Sequence, residues 1–338
     1  MAPDQDHIEI PLIVAPNGDG SRLDRYLSST FGRLSRHRIH QMIASHRVRC
    51  AKSGVALTKK SMRVHLGQSI VVWRPAPIEP PVVREYEVVY QDDSILALNK
   101  PGGLPVHPSA RYVRNTLTAK MSEQLGPDHG WEMAHRLDRE TSGVMLFGRQ
   151  GSSATQLKRA FFRRKITKHY LALVHGEMKE PRWIDLPLGP AVMSKIRIKV
   201  GPRPLDDGGQ VAQTFVVPHR EYRFRGRIIT LVSAFPKTGR THQIRAHLAA
   251  VGHGVLGDKL YGLEERRFLE VVEEGRPVEE LEAELGISRH ALHAYRIQFS
   301  HPNNDKTMCI RAPWPHELGE LIALPKQVDA SFEEFFRR

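Results

Sequence analysis

The segment AHRLDRETSG, residues 134–143, places one carboxylate, Asp138, between two guanidinium groups, those of Arg136 and Arg139. The flanking positive charges predict a lowered pKa for Asp138, so that it stays ionised at neutral pH. An ionised carboxylate is suited to act as a nucleophile or to stabilise charge, and it is a poor proton donor. The closing Thr-Ser-Gly sequence predicts a turn at the end of the segment.

Two other interpretations of this segment remain open from its residues. If the segment is extended, Arg136, Asp138 and Glu140 share one face, and glycosidases use two carboxylates. Against this, the carboxylates would lie side by side on one strand rather than across a scissile bond, and the surroundings are basic. The second interpretation is that Asp138 forms only structural ion pairs, because ion-pair networks also perturb pKa values.

The charge balance of the whole chain favours a polyanionic partner. Lys and Arg number 50 against 37 Asp and Glu in 338 residues, which gives a formal net charge of +13. Nucleic acid is therefore the first candidate partner. A protein that binds a membrane surface is the weaker alternative, because no long apolar run occurs, and we expect no membrane partner. The length predicts one large domain with a small accessory domain.

Cysteine and histidine spacing predicts neither a disulfide framework nor a metal site. The two cysteines are far apart and have no CxxC spacing. His242 and His247 are five residues apart, on different faces of a helix, and His290 and His293 have no cysteine or carboxylate pair nearby. The N-terminal sequence, MAPDQDHIEI, is acidic and lacks the apolar core of a signal peptide. We therefore expect a cytoplasmic protein without a metal.

Residues 21–74 are predicted to form a compact basic domain after an N-terminal tail, residues 1–20. Apolar residues at helical spacing predict two short amphipathic helices, the second with an N-cap at Ser35, and residues 69–73, SIVVW, predict a strand. The candidate RNA-binding residues on this domain are Arg22, Arg25, Arg36, Arg38 and Arg47. The alternative is a basic, solvated surface without a ligand, since charge runs often have no other role.

A proline-rich stretch, PAPIEPPVVREY at residues 75–86, predicts a semi-rigid linker before a large domain, residues 87–330. In the large domain, predicted strands cluster between helices instead of alternating with them, which favours an α+β fold over a doubly wound sheet. Helices are predicted at residues 152–162, at residues 241–252 and in an acidic insert, residues 263–286. The apolar face of the second of these helices would carry Ile244, Leu248 and Val251.

Six segments of the large domain resemble, in order, the motifs of the RluA family of pseudouridine synthases. They are KPGGLPVHP (100–108), HRLDRETSG (135–143), KHYLALVHG (168–176), TGRTHQIRAHL (238–248), GDKLYG (257–262) and RHALHAYRIQFSHP (289–302). Each is chemically mixed, and the resemblance extends over essentially the whole chain after the linker. The N-terminal domain, with RLDRYL, LSRHRIHQMI and VRCAKSG, resembles the S4 RNA-binding domain found in the two-domain, ribosomal large-subunit type of this family.

The resemblance implies a pseudouridine synthase fold with a mixed, largely antiparallel central sheet. It also implies that Asp138 attacks the target uridine, at the ribose C1′ or at the uracil ring, and that Arg245 pairs with Asp138. Tyr170 would stack on the flipped base, near the proton that leaves C5. Arg136 would fill the space that the flipped base leaves, and Arg139 is a second candidate partner for the carboxylate.

From the resemblance we expect large-subunit ribosomal RNA as the substrate, with transfer RNA as the alternative, no cofactor, and a monomer. Two other functions remain open. The first is a catalytically inactive ribosome-assembly factor with the same fold. The second is a nucleoside or glycoside hydrolase, which would release free base or sugar, whereas an isomerase leaves the mass of the RNA unchanged. Analysis of the products would distinguish them.

Overall fold

The structure is a computed structural model with two compact units, Met1–Ile78 and Glu79–Arg338. The residues that it describes are 7–32, 34–76, 78–83, 85–109, 112–325 and 328. The boundary between the units falls within residues 75–86, the stretch predicted to be a linker. Parts of all four predicted segments lie outside the described residues: 1–6 of the tail, 33 of the basic domain, 77 and 84 of the linker, and 110–111, 326–327 and 329–330 of the large domain.

The N-terminal unit combines a three-stranded antiparallel sheet with two helices. Its elements are β1 (His7–Ile13), α1 (Leu23–Thr30), α2 (Arg36–Ala44), β2 (Val48–Cys50) and β3 (Ser69–Pro75). The strand order is β1-β3-β2. The two predicted helices are present, and the Ser35 side chain accepts a hydrogen bond from the backbone N–H of Arg38 at 3.3 Å, as an N-cap does.

Strand β1 lies in the segment that the sequence analysis assigned to a tail. It pairs along its whole length with β3, from His7 opposite Pro75 to Ile13 opposite Ser69. Its residues Ile10 and Leu12 pack against the core of the unit. Apolar residues at every second position are the pattern of a half-buried strand. Residues His7–Ile13 are therefore part of the N-terminal unit instead of a tail.

The second unit is built on a ten-stranded mixed sheet. Its strands are β4 (Glu87–Gln91), β5 (Ile95–Lys100), β6 (Trp131–Met133), β7 (Ser142–Arg149), β8 (Thr167–His175), β9 (Arg182–Asp185), β12 (Gln213–Phe224), β13 (Arg227–Pro236), β14 (Leu292–Ser300) and β15 (Thr307–Arg311), and a separate hairpin consists of β10 (Leu188–Pro190) and β11 (Val200–Pro202). The order is β4-β5-β7-β14-β8-β13-β12-β9, with β15 beside β14 and β6 beside β7. Among these pairs, only β7 and β14 run parallel. The prediction of an α+β fold with a largely antiparallel sheet is confirmed.

The helices of the second unit are α3 (Leu117–Leu125), α4 (Ser152–Phe162), α5 (Gln243–Ala250), α6 (Glu265–Glu273), α7 (Val278–Leu285) and α8 (His316–Gly319). Helix α4 has the predicted bounds, and α6 and α7 form the predicted acidic insert. Helix α5 differs from the expected amphipathic helix, since every residue from Gln243 to Leu248 is buried. Its polar side chains are buried because they have polar partners inside the fold. In the described part of the chain, no helix is long and apolar enough to cross a membrane.

The last glycine of the segment AHRLDRETSG fixes how this segment enters the sheet. Gly143 has a φ of +112° and lies opposite Ala294 where β7 begins to pair with β14. A Cβ atom at Gly143 would lie 2.2 Å from the carbonyl oxygen of Ala294. Only glycine fits this close approach and this backbone conformation. The loop before β7, which contains Asp138, is thereby held at one end of the central strands.

Candidate active site

Asp138 and Arg245, two of the predicted site residues, meet in the structure. Asp138 lies in the loop between β6 and β7, and its side chain is 28% exposed. Its Oδ2 accepts a hydrogen bond from NH1 of Arg245 in α5 at 2.8 Å. Burial acts to raise the pKa of Asp138, but nearby positive charge, chiefly that of Arg245, and the hydrogen bond from Arg245 together outweigh it and hold the pKa below the usual range. Asp138 is therefore an ionised carboxylate with one open side.

The arginines next to Asp138 in the sequence do not pair with it. Arg139 donates hydrogen bonds to the hydroxyl of Tyr112 at 2.8 Å and to Oε1 of Glu140 at 3.0 Å. Arg136 has an exposed side chain. The expectation that Arg139 pairs with Asp138 was therefore wrong. The guanidinium group of Arg139 bonds Tyr112 and Glu140, whereas the carboxylate of Asp138 bonds Arg245.

Glu140 belongs to a separate group of ion pairs. Its Oε1 accepts hydrogen bonds from Nζ of Lys259 and from Arg139, each at 3.0 Å. Its Oε2 accepts the backbone N–H of His290 at 3.3 Å. With positive charge on several sides, Glu140 has a lowered pKa even though burial acts to raise it. These contacts commit Glu140 to holding the loop, and they give it a role different from that of Asp138.

The loop is also held from inside the fold by Lys100, at the end of β5. This side chain is completely buried. Its Nζ donates hydrogen bonds to the carbonyl oxygens of Pro101, Leu104 and Arg139 at 2.7, 2.9 and 3.0 Å. The third of these contacts fixes the backbone of the residue that follows Asp138. The first of the six motifs therefore positions the second.

The guanidinium group of Arg245 is shared between two carboxylates. Its Nε and NH2 donate to Oδ2 and Oδ1 of Asp258 at 2.6 and 2.8 Å, while NH1 reaches Asp138. Asp258 is 0% exposed, and its Oδ1 also accepts the backbone N–H groups of Leu260 and Tyr261. Burial acts to raise the pKa of Asp258, but the charge and hydrogen bonds of Arg245 lower it strongly. Asp258 thus fixes the plane in which Arg245 approaches Asp138.

The motif GDKLYG was identified from the sequence, but Asp258 within it was assigned no role. A signal was present, because a buried arginine that holds a partly exposed carboxylate needs further acceptors for its other N–H groups. Asp258, the carboxylate of this motif, could therefore have been predicted to accept them.

His242 is a further residue at this site that sequence reasoning missed, since it considered this side chain only as a metal ligand. It precedes α5 with a φ of +54°, and its Nε2 lies 3.9 Å from Oδ2 of Asp138. Its Nδ1 lies 3.2 Å from the hydroxyl of Tyr261, which accepts the backbone N–H of Val200. The phenol can donate its proton to Nδ1, and in that tautomer the proton of the neutral imidazole is on Nε2, facing Asp138.

Tyr170 lies on β8, opposite Ala234 of β13 and Ala294 of β14. The side chain is partly buried and packs against two groups of core residues. Burial raises its pKa above the usual range, and the negative charge of Asp138 raises it further. The phenol is therefore neutral at pH 7. A neutral aromatic ring at this place can stack on a planar base.

The five predicted RNA-binding arginines of the N-terminal unit are all exposed: Arg22, Arg25, Arg36, Arg38 and Arg47. Arg22 is ion-paired with Asp24 through two hydrogen bonds, at 3.1 and 2.8 Å. These arginines lie in a different compact unit from Asp138.

Within the described residues, no group of three or more His, Cys, Asp and Glu side chains is placed to hold a metal ion. Three of the histidines considered above are buried and hydrogen-bonded to hydroxyl groups: His247 to Thr214, His290 to Thr141, and His293 to Ser142.

Residues 94–250 match a family model described as RNA pseudouridylate synthase. The ribosomal large subunit pseudouridine synthase D of Vibrio cholerae serotype O1 is 30% identical over 322 residues, which cover 93% of this chain and 94% of that protein. The protein of the same name from Yersinia pestis is 31% identical over 340 residues, 97% of each chain. A solved structure, Human RNA Pseudouridylate Synthase Domain Containing 1, superposes with a TM-score of 0.56 and 24% identity over 76% of this chain and 98% of that one, which supports the fold alone.

Proposed function

We propose, since the chain belongs to the RluA family of RNA pseudouridine synthases, that Asp138 is its catalytic carboxylate and large-subunit ribosomal RNA its substrate. The chain is an enzyme, an isomerase that converts uridine in RNA to pseudouridine. Support for this RNA comes from the relatives, which are named as synthases of the ribosomal large subunit and match over nearly their whole length. Transfer RNA is the alternative substrate.

The observation that carries the catalytic assignment is the arrangement of Asp138, Arg245 and Asp258. One guanidinium group holds a buried carboxylate with two nitrogens and a partly exposed carboxylate with the third. Asp138 is thereby ionised, oriented and open on one side, as a nucleophile must be. In the described residues, one hydrogen bond reaches its carboxylate, from Arg245 to Oδ2, so Oδ1 is available to attack.

The chemistry needs only this carboxylate and a surface that holds the base. An oxygen of Asp138 attacks the uridine at the ribose C1′ or at the uracil ring, and the bond between C1′ and N1 breaks. The uracil turns while Tyr170 stacks on it, C5 bonds to C1′, and the bond between Asp138 and the substrate breaks, which frees the carboxylate again. The proton lost from C5 is balanced by one gained at N1, so no redox step takes place. The side chain of Arg136, exposed in the same loop as Asp138, would occupy the space that the base leaves in the RNA.

The N-terminal unit is proposed to contribute RNA affinity instead of chemistry, as an S4-like domain would. Its exposed arginines can neutralise phosphates, and phosphate contacts supply much of the affinity of a protein for nucleic acid. We further propose that the protein acts as a monomer in the cytoplasm, where ribosomal RNA is its partner.

The test is the variant Asp138→Asn, which keeps the size of the side chain but removes its charge. It should fold, bind RNA at least as tightly as the wild type and form no pseudouridine, because an amide is a far weaker nucleophile. Each purified protein is incubated with unmodified large-subunit ribosomal RNA or transfer RNA, and pseudouridine is mapped by chemical labelling. The matched control is Asp128→Asn, which changes an exposed carboxylate in the same unit and should keep full activity.

Three outcomes would contradict the proposal. Pseudouridine formation by folded Asp138→Asn at the wild-type rate would remove Asp138 from catalysis. Modification of transfer RNA alone would replace the substrate. Release of free uracil or a change in RNA mass would indicate a hydrolase.

A further inference from the structure

The C-terminal end of helix α4 presents an aromatic ring to solvent. Phe162, the last residue of this helix, is 88% exposed. The helix packs into the fold through Ser153, Ala154 and Leu157, so its core-facing side is already accounted for. Phe162 therefore has no structural role that would explain an aromatic residue at this place. Single exposed apolar residues are common, and a function requires further observations.

The first of these observations is the charge around the ring. Four exposed cationic residues lie within three positions of Phe162 in the sequence: Arg159, Arg163, Arg164 and Lys165. In the part of the chain that the structure describes, none of them forms an ion pair with a carboxylate. By contrast, Lys158, on the same helix, is paired with Glu132. We call Phe162 and the four unpaired cations the α4 ridge.

The second observation is that the α4 ridge adjoins the loop that contains Asp138. The ring of Phe161 stacks on that of His135, with centroids 4.5 Å apart and an angle of 29° between the planes. His135 is fixed in turn, because its Nε2 accepts the backbone N–H of Leu146 at 3.0 Å. Asp138 follows His135 by three residues, which span at most about 11 Å. The end of α4 is therefore coupled directly to the start of this loop.

On its other side, the ridge leads into the strand that carries Tyr170. Lys165 precedes Tyr170 by five residues, and Lys168, between them, donates a hydrogen bond to the carbonyl of Thr238 at 2.8 Å. Burial lowers the pKa of Lys168 to about 8, and the positive charge of Arg164 makes a smaller contribution in the same direction. The α4 ridge thus lies between two chain segments that bring candidate catalytic residues together.

We propose that the α4 ridge binds the single-stranded RNA next to the target uridine, with Phe162 stacked on a flanking base and the cations on its phosphates. This combination of an exposed aromatic ring with positive charge is how proteins hold unpaired strands. Nucleotides beside a flipped base are themselves partly unstacked, so a base is available to the ring. A polyanion fits the ridge better than another protein surface, because one ring among four cations does not form an apolar patch. This inference rests on the proposed function, which supplies the RNA.

The first test varies the ring. Phe162→Ala removes the stacking surface and Phe162→Trp keeps one, and an exposed side chain allows both changes without loss of folding. Dissociation constants are measured by fluorescence anisotropy with an unmodified RNA stem-loop that the enzyme modifies, and kcat and KM are measured on the same RNA. Stacking of one base is worth a factor of about 5 to 150 in affinity. We expect Phe162→Ala to raise Kd and KM within this range with kcat nearly unchanged, and Phe162→Trp to restore both.

The second test varies the charge. The double variant Arg163→Gln/Lys165→Gln should lower the slope of log Kd against log salt concentration by about 1.4, or about 0.7 for each phosphate contact with a single strand. The matched control, Arg223→Gln/Arg227→Gln, removes two exposed cations at the far end of the β12–β13 hairpin. That end is about 23 Å along β13 from the position opposite Tyr170. The control should keep the wild-type slope.

Several results would overturn the inference. Wild-type Kd and KM for Phe162→Ala in an active enzyme would show that the ring does not touch RNA, while the proposed function would stand. If the control lowers the slope by the same amount, the effect comes from the net charge of the protein and not from contacts at the α4 ridge. A wild-type dimer that becomes a monomer in Phe162→Ala, measured by size-exclusion chromatography with light scattering, would assign the ridge to a protein interface. Absence of pseudouridine with every variant and with the wild type would instead refute the function itself.

Discussion

The variant Asp258→Asn tests whether the buried carboxylate controls the exposed one. Oδ1 of Asp258 accepts three N–H groups, and Oδ2 accepts Nε of Arg245 at 2.6 Å. An asparagine can place its oxygen where Oδ1 lies, but its NH₂ group then takes the place of Oδ2. That group is a donor and cannot accept the Nε–H of Arg245. One charge-assisted hydrogen bond, worth about 1.5 to 3 kcal/mol, is removed. The guanidinium charge is also left without its buried partner, and breaking a buried ion pair costs about 3 to 5 kcal/mol in all.

The effect on catalysis should be separate from any effect on RNA binding. Asp258 is 0% exposed and cannot touch RNA, so KM should stay near the wild-type value. Without the hydrogen bond from its Nε to Asp258, Arg245 can rotate and take Asp138 with it, and a displacement of 1 Å can cost about 10²-fold in rate. Single-turnover pseudouridine formation measures this rate, and urea denaturation measures the free energy of unfolding.

The matched control is Asp305→Asn, an exposed aspartate with a φ of +55°, a conformation that asparagine tolerates. Its free energy of unfolding should stay within about 0.5 kcal/mol of the wild type, as for most surface substitutions. If Asp258→Asn matches this control in both stability and rate, the carboxylate of Asp258 does not orient Arg245, and the reasoning is refuted.

Arg245→Lys keeps a positive charge but cannot hold two carboxylates with a planar fork, so we expect a large fall in kcat with RNA affinity nearly intact; wild-type kcat would rule out its pairing role. Deletion of residues 1–78 should weaken binding to folded RNA and flatten its salt dependence by about 0.7 to 0.9 log units for each phosphate that the protein no longer neutralises, and an unchanged slope would remove the N-terminal unit from RNA binding. Acid should destabilise the fold, because burial lowers the pKa of three histidines to about 3 while the same side chains titrate near 6.5 when unfolded. The unfolded chain therefore binds more protons below about pH 6.5, and between pH 7.5 and 5.5 the unfolding free energy should fall by about 1.4 kcal/mol for each histidine, about 4 in total; a flat profile in urea denaturation at the two pH values would contradict this. These histidines are His135, His290 and His293.

The sequence predicted the elements whose pattern is local and missed the contacts that only the fold creates. Helix α4 was predicted with the bounds it has, because its apolar spacing and length are read within one window. The bond between Asp138 and Arg245 joins residues 107 positions apart, and only the resemblance to a family suggested it. Local reasoning from charge assigned Arg139 to Asp138, but chain neighbours on a loop need not share a partner. The role of Asp258 and the tautomer of His242 depend on burial and on hydrogen-bond partners, which no local pattern reveals.

The sharing of one guanidinium between two carboxylates explains how Asp138 can be both held and reactive. A strong ion pair lowers the pKa of a carboxylate, and basicity and nucleophilicity fall together with pKa. Here the charge of Arg245 is already largely balanced by Asp258, which takes two of its nitrogens at 2.6 and 2.8 Å inside the fold. The third nitrogen then orients Asp138 through one hydrogen bond while the pair as a whole is close to neutral. In Asp258→Asn the full positive charge would face Asp138, so the carboxylate should bind Arg245 more tightly and attack uridine more slowly.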